Sequence, residues 1–402
     1  MIPRVPPDSV NSREENLHLR DWILLPLVGL LTTCLILVSS ELIARRMFYQ
    51  STAVNATCFE MFRPASGMGV TPNSVCWAKS PESKWVEYRF DSSGFRAGIE
   101  IGPKPPGTYR IVLIGSSAVM GYAVSREQSF AALLPVGLSR QTGRKIEVYN
   151  EGLTSGHPEV ISRWFNQVLD ANPDLILWGV SAHDVELGLE DQASPRAPDI
   201  RQVPDGSGLL ATARTLLKEK LATKSFPDAI RVVLNMSRTI FMLRHFFYKS
   251  QDLYLKAYVK GDEAGFLDTE LNSGWQSNLQ GFSRYSIDIT TKARAANVPI
   301  VVFLVPAHAQ ADMISRNEWP TGIDPYKLDD ELRSLITAHG GIYIDLLPHF
   351  RNILDTDSYF FSVDDHPNVG GHALLSGFLA SELTSGVVPA LDAATPTQAA
   401  LQ

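Results

Sequence analysis

The sequence predicts an α/β fold in which helices cover a five-stranded parallel sheet. Two observations support this prediction. Short apolar runs with the composition of buried strands lie at 110–114, 145–149, 174–180, 299–305 and 341–346. Helix-like stretches lie between and after them, at 126–140, 158–171, 283–296, 327–338 and 369–384. Strands that alternate with helices along a chain are typical of a parallel sheet.

The composition is that of a globular protein and argues against a nucleic-acid partner. The chain has 402 residues, of which 45% are hydrophobic and 20% charged, enough for one large domain with appendages. Its net charge is -7, and it has no basic stripe of the kind that binds phosphate groups. We therefore expect no nucleic acid among its partners.

The clearest signal lies near the N-terminus, where residues 22–40 read WILLPLVGLLTTCLILVSS and carry no charge. A helix of this length spans about 28 Å, close to the hydrocarbon thickness of a bilayer. We predict a transmembrane anchor over 22–44, preceded by a disordered polar segment, 1–21. The alternatives are a cleaved signal peptide, with Val38 and Ser40 as the small residues before the cut, and a buried core helix.

A lead-in region, 45–107, connects this segment to the main domain and ends in a linker rich in proline and glycine. Within it, Cys58 and Cys76 could form a disulfide, which would suit an extracytoplasmic location, or could remain two free thiols.

The main domain is expected at 108–388, followed by a disordered tail, 389–402. A helical insertion at about 185–280 either packs on the core or covers a substrate groove. The same two interpretations, core packing or groove lining, apply to its aromatic residues Phe246, Phe247, Tyr248, Tyr254 and Trp275.

Polar residues that could carry chemistry follow the first predicted strand and precede the last helix. The first strand ends at Gly115-Ser116-Ser117, and ligands of open α/β sheets bind beyond the carboxyl ends of the strands. A serine attacks an acyl carbon only when a base takes its proton, a carboxylate holds the base, and donors receive the oxyanion. Asp364 and His366, two residues apart in a loop, could be that carboxylate and base.

Other interpretations of these residues remain open. The serines could be a polar strand cap, and Asp364 and His366 could be solvated loop charges. A metal site formed with Asp365 and His372 is the weaker alternative, because nothing fixes a coordination set. We expect neither a metal nor a cofactor.

The second and third predicted strands also end in polar or glycine-rich sequence. After the second come Asn150, Gly152 and Gly156, and glycine lets backbone N–H groups approach a ligand closely. After the third come His183 and Asp184. All these positions meet at one edge of the predicted sheet.

These polar and glycine-rich segments, taken in their order along the chain, resemble the sequence blocks of the SGNH, or GDSL-like, hydrolases over about residues 108–385. RIVLIGSSAVMGYAV is similar to the family's Gly-Asp-Ser block, SAHD to its Gly-x-Asn-Asp block, and DDHPN to the block that supplies the acid and the base. The resemblance implies a flavodoxin-like three-layer sandwich. It also implies a catalytic triad of Ser117 as nucleophile, His366 as base and Asp364 as the orienting carboxylate.

The resemblance further implies an oxyanion site formed by Ser117, Gly156 and His183. Two residues depart from the family's pattern: Ser116 stands where the family has aspartate, and His183 stands where it has asparagine. The spacing from Asn150 to Gly156 is also one residue longer.

The stretch before the first strand looks like the lead-in of membrane-tethered members, which carry an Asn-x-x-Gly-Phe-Arg element. Here it covers Asp91 to Arg96, with aspartate in place of asparagine. This likeness implies a single-pass membrane anchor and an extracytoplasmic (periplasmic) catalytic domain.

The resemblance implies a serine ester hydrolase or O-acyltransferase. Its substrate would be an acylated carbohydrate or another ester, with O-acetyl groups on extracytoplasmic carbohydrate as the first expectation. Hydrolysis and transfer share one acyl-enzyme, and the residues do not separate them. The changes at 116 and 183 suggest the alternative, a non-catalytic glycan-binding or assembly subunit on the same scaffold.

Overall fold

In a computed structural model, the structure describes residues 20–49, 51–53, 69–154, 156–186 and 237–392. Its first element is helix α1 (Asp21–Met47). The most apolar 18-residue window of Trp22–Met47 has a mean hydropathy of 2.3, and the side chains of this stretch are almost all exposed. The helix is long and apolar enough to cross a bilayer, a property that signal sequences share.

A small antiparallel sheet follows, with strands β1 (Ser51–Ala53), β2 (Val75–Lys79) and β3 (Val86–Arg89) in that order. Cys76 is buried in β2 and is disulfide-bonded. Cys58, its proposed partner, lies outside the described residues, and Cys34 is a free, exposed thiol. No sequence pattern predicted this small sheet.

The central sheet is parallel throughout and confirms the predicted fold class. When its five strands are numbered along the chain, they lie side by side in the order 2-1-3-4-5, which is the flavodoxin-like order. Every residue of the three central strands is buried, as expected when helices cover both faces. The strands are β4 (Thr108–Gly115), β5 (Lys145–Asn150), β6 (Leu175–Val180), β7 (Ile300–Leu304) and β8 (Ile342–Ile344).

The alternation of side chains along β4 divides the interior into two cores. Ile111 and Leu113 face one core, and Val112 and Ile114 face the other. The helices at 130–142 and 369–382 cover the first core, while those at 158–170, 273–295 and 327–338 cover the second. The described helices after α1 are α2 (Ser117–Met120), α3 (Phe130–Thr142), α4 (Pro158–Asp170), α5 (Ala182–Glu186), α6 (Arg238–Phe247), α7 (Gln251–Tyr258), α8 (Ser273–Ala295), α9 (His308–Arg316), α10 (Lys327–Ala338) and α11 (Val369–Glu382).

Several expected boundaries differ from the observed ones. Helix α8 begins ten residues before the predicted 283 because the Asn272 side chain caps it, accepting from the Trp275 N–H at 3.0 Å. The predicted tail begins in a 3-10 turn, Pro389–Leu391, whose leucine is fully buried, while 393–402 lie outside the described residues.

The predicted insertion is described only from residue 237 onward, in α6, α7 and the start of α8. Tyr254 and Trp275 are buried in the core, and Tyr248 packs against it. Phe246 and Phe247 are exposed. These five aromatic residues therefore do not form a single groove lining.

Candidate active site

The turn from β4 into α2 places Ser117 at the carboxyl edge of the sheet. Gly115 ends the strand with φ +147°, a conformation that side chains disfavour. A Cβ there would lie 2.4 Å from the Gly179 carbonyl oxygen and 2.5 Å from Val119 Cγ2. Only glycine therefore fits, and the half-buried Ser117 begins the short helix that follows.

Ser117 and the DDHPN loop meet at this edge. The Ser117 Oγ lies 2.7 Å from His366 Nε2, and His366 Nδ1 lies 2.6 Å from Asp364 Oδ1. With Nδ1 protonated, His366 donates to Asp364 and accepts from the serine hydroxyl. Burial alone would lower the pKa of His366, but the hydrogen bond and negative charge of Asp364 raise it above its ordinary value. In this arrangement the neutral imidazole can accept a proton from the Ser117 hydroxyl.

The loop that carries Asp364 and His366 is closed by its own backbone. The Phe361 N–H donates to the His366 carbonyl at 2.9 Å, and the Asp365 N–H donates back to the Phe361 carbonyl at 3.0 Å. Asp365 has φ +64°, so its side chain leaves the loop in a different direction and accepts from the Tyr254 hydroxyl at 3.0 Å. The loop thus directs His366 towards Ser117 and Asp365 towards Tyr254.

The residues expected at the oxyanion site lie in different environments. Ser117 is the first residue of α2, and N–H groups of a first helical turn have no partner within the helix. Gly156 packs on the turn that carries Ser117, since a Cβ there would lie 2.2 Å from the Gly115 carbonyl oxygen. Its N–H, however, donates to the Leu153 carbonyl at 2.9 Å. His183 is exposed, and its ring centroid lies 6.3 Å from that of His157.

The departure at residue 116 has a structural consequence. The Ser116 hydroxyl donates to Asp184 Oδ2 at 2.9 Å, and the N–H and hydroxyl of Ser181 donate to the same oxygen at 2.8 and 2.7 Å. The Asp184 side chain is only 3% exposed, so these three donors stabilise a buried carboxylate. An aspartate at 116 would bring a second negative charge against it, whereas serine supplies a donor.

Arg96, the last residue of the Asp91–Arg96 element, supports the turn that carries Ser117. Its buried guanidinium donates to the carbonyls of Gly121 at 2.6 Å and Val124 at 2.9 Å, just after α2. It also donates to the Glu87 carbonyl and lies over the Tyr88 ring, 4.2 Å from its centroid. Burial lowers the pKa of Arg96 to about 10. The motif is recognisable in the sequence, but this role of Arg96 was not predicted from it.

Asp91, the first residue of the same element, shapes its turn. One carboxylate oxygen accepts from the Ser93 and Phe95 N–H groups, each at 2.9 Å, and the other accepts from the Tyr149 hydroxyl at 2.7 Å. The Asp91–Arg96 element therefore links the small sheet to β5 and to the turn that carries Ser117.

A second polar cluster surrounds the fully buried His308. Its Nε2 lies 3.1 Å from Asp357 Oδ1 and 3.5 Å from Asp312 Oδ1, and its Nδ1 lies 3.6 Å from Asp365 Oδ1. Burial lowers the pKa of His308, but these carboxylates outweigh it and raise the pKa to about 11. Ligand atoms of His308, Asp312 and Asp357 lie within 4.8 Å of one another, so by geometry they could also hold a metal ion.

Two aromatic rings favour the charged imidazole over a metal ligand in this cluster. The rings of Tyr254 and Phe360 stack on His308 at 4.1 and 4.9 Å between centroids. Aromatic faces attract cations, so the pair stabilises the imidazolium form.

The metal set considered from the sequence is not assembled among these described residues. His366 contacts Ser117 and Asp364, and Asp365 contacts Tyr254. His372 is buried elsewhere, where its Nδ1 accepts from the Phe130 N–H at 3.2 Å and burial lowers its pKa to about 3.

Neither a protein-family model nor a curated protein matches the chain. Two solved structures of esterases from Geobacillus stearothermophilus are similar to it. A variant of an acetyl-xylooligosaccharide esterase is 13% identical with a TM-score of 0.37, covering 71% of this chain and 96% of its own. A catalytic mutant of an acetylxylan esterase is 13% identical with a TM-score of 0.36, covering 68% and 94%. At this identity, neither protein's substrate carries over to this chain.

Proposed function

We propose that the chain is an SGNH-type serine ester hydrolase or O-acyltransferase that uses Ser117, His366 and Asp364 as its catalytic triad. The observation that carries the proposal is the continuous hydrogen-bonded series from the Ser117 hydroxyl through the imidazole to the Asp364 carboxylate. Ser117 and His366 are 249 positions apart in the sequence, so their contact depends on the whole fold.

In the proposed reaction, Ser117 Oγ attacks the acyl carbon while its proton passes to His366 Nε2. The carboxylate of Asp364 stabilises the imidazolium that forms. When the tetrahedral intermediate collapses, the leaving alcohol takes the proton from His366 and an acyl-enzyme remains on Ser117. Water, or a sugar hydroxyl in the case of transfer, then attacks the acyl-enzyme with His366 again acting as base.

The developing oxyanion would be received by the Ser117 N–H together with Gly156 and His183. The Gly156 N–H can contribute only if its bond to the Leu153 carbonyl breaks or is shared when substrate binds. A donor aimed at an oxyanion contributes about 2.7 to 4 kcal/mol in other enzymes, so this rearrangement would be repaid in the transition state.

For the substrate, we propose O-acyl groups, first of all acetyl, on carbohydrate outside the cytoplasm. Two observations support that location. Helix α1 is apolar enough to anchor the chain in a membrane, and the disulfide bond of Cys76 belongs to an oxidising compartment. A single-pass anchor with a periplasmic catalytic domain is consistent with both.

A second candidate function is a non-catalytic glycan-binding or assembly subunit. The observations that favour it are the engaged Gly156 N–H and the exposed histidine at 183. Such a subunit would bind polysaccharide without forming a covalent acyl-enzyme.

The test is turnover of p-nitrophenyl acetate and acetylated glycans by the full-length chain in detergent. Ser117→Ala should abolish the turnover, while Ser385→Ala, at an exposed serine that bonds only to its own helix end, should not change it. Equal rates in Ser117→Ala and the parent would remove the triad assignment. Adding a glycan acceptor separates the two reaction types, because a transferase moves the acetyl group to the acceptor and a hydrolase releases acetate.

A further inference from the structure

Glu82 contacts the acid–base loop, which is the loop 361–366 that carries Asp364 and His366, from outside the main domain. It lies in the turn between β2 and β3 of the small sheet, and its side chain is only 2% exposed. One carboxylate oxygen, Oε2, accepts from the Val363 N–H at 3.1 Å and from the Asp364 N–H at 3.0 Å. The buried charge is therefore stabilised by consecutive backbone donors of the loop.

These two bonds fix the backbone immediately before the Asp364 side chain. A carboxylate that binds two successive N–H groups restrains the peptide plane between them, and this plane sets the direction in which the second side chain leaves the backbone. On the other side of Asp364, the Asp365 carboxylate is held by the Tyr254 hydroxyl. The residue that orients His366 thus lies between two buried attachments.

The other oxygen of Glu82 extends the contact to the N-terminal helix. Glu82 Oε1 lies 2.7 Å from His245 Nδ1 on α6, and the His245 ring packs 5.0 Å from that of Phe48, just after α1. At the start of α6, the Glu41 carboxylate of α1 accepts from the Ser237 hydroxyl at 2.8 Å. Glu82 therefore lies between the loop and the helix that packs on the end of α1.

We propose that Glu82 is a positioning residue that holds the acid–base loop so that Asp364 can orient His366. The inference rests on the proposed function, because it assigns Glu82 a part in that same site. Glu82 does not contact Ser117 or His366 and acts through the backbone of Val363 and Asp364. Without it, the N–H groups of Val363 and Asp364 lose their acceptor and the loop can depart from its productive geometry.

The test compares Glu82→Ala, Glu82→Asp and Glu82→Gln in the full-length chain in detergent. Glu82→Ala removes both bonds, Glu82→Asp keeps the charge but shortens the reach by one methylene, and Glu82→Gln keeps one oxygen that can accept from both N–H groups. Glu87→Ala is the matched control, since Glu87 lies in the same hairpin and its side chain pairs with Arg89. Three quantities are measured: kcat and KM for p-nitrophenyl acetate, the pH profile of kcat/KM, and amide hydrogen exchange in residues 360–367.

We expect Glu82→Ala to lower kcat by about ten- to a hundredfold with little change in KM, the scale of loss for misplaced catalytic groups. The fall of kcat/KM at acid pH (the acid limb of the pH profile) should move to lower pH in Glu82→Ala, because a loosened Asp364 no longer holds the pKa of His366 above its ordinary value. Exchange at Val363 and Asp364 should accelerate. Glu82→Asp should behave similarly, Glu82→Gln should recover most of the loss, and the control should match the parent.

The inference would be overturned if Glu82→Ala kept the parent's kcat and the parent's pH profile of kcat/KM, or if amide hydrogen exchange in the loop did not change. If Glu82→Ala does not fold, Glu82→Asp decides on the same criteria. If the parent turns over no ester at all, the proposed function fails, while the exchange measurement still decides whether Glu82 holds the loop.

Discussion

Replacing Asp364 by asparagine should lower kcat about a thousandfold without unfolding the protein. Asp364 Oδ1 lies 2.6 Å from His366 Nδ1, and its side chain is 22% exposed, so water screens the pair only in part. Charges about 4 Å apart at an effective dielectric constant of about 20 attract by about 4 kcal/mol. The imidazolium exists only after Ser117 has given up its proton, so this energy is lost from the transition state and corresponds to about a thousandfold in rate.

The assay is the kcat for p-nitrophenyl acetate, with Ser117→Ala as the background and thermal unfolding as the control for folding. The pH profile adds an independent check. His366 must be neutral to accept the proton, so the parent's kcat/KM should fall as pH drops through the raised pKa of His366. In Asp364→Asn the acid limb should move to lower pH. The assignment of Asp364 would be refuted by a variant that keeps more than about a third of the parent kcat while Ser117→Ala shows none.

Three further substitutions test the surroundings of the site. Arg96→Ala should lower the free energy of unfolding by about 2 to 4 kcal/mol, because the Gly121 carbonyl and its neighbours lose a buried charged donor; an unchanged denaturant midpoint would contradict this. Gly156→Ala should lower kcat at least about tenfold, because its Cβ would displace the Gly115 carbonyl next to the nucleophile; parent-like kinetics would speak against that packing. Burial raises the pKa of Glu151 well above its usual value, so the parent should lose stability as pH rises from about 4.5 through that raised pKa, and Glu151→Gln should show a flatter profile in pH-dependent unfolding.

The central sheet could be predicted from the sequence, and Ser117, His366 and Asp364 could be singled out as the proposed triad, for separate reasons. The sheet could be predicted because β4, β6 and β7 are buried on both faces, so that their sequences are almost continuously apolar. The three proposed triad residues were identified because their sequence segments follow the order of the SGNH hydrolase blocks. Their mutual distances came only from the fold.

Other features could not be predicted, because their partners leave no local pattern. Helix α9 was missed since it buries His308, Gln310 and Asp312, which hides the apolar periodicity of a covered helix. Arg96 and Glu82 bind backbone groups that are 25 and 282 positions away, and any residue could supply those carbonyl and N–H groups. The bond from the Gly156 N–H to Leu153 is likewise a property of loop conformation.

The most direct measurement is mass spectrometry of the full-length chain after treatment with a serine-directed phosphonate. We predict one phosphonate per chain, mapped to Ser117, with no labelling in Ser117→Ala and strongly slowed labelling in His366→Ala. A chain that stays unlabelled, or that carries the label on Ser116 or elsewhere, would contradict the claim that Ser117 is an activated nucleophile.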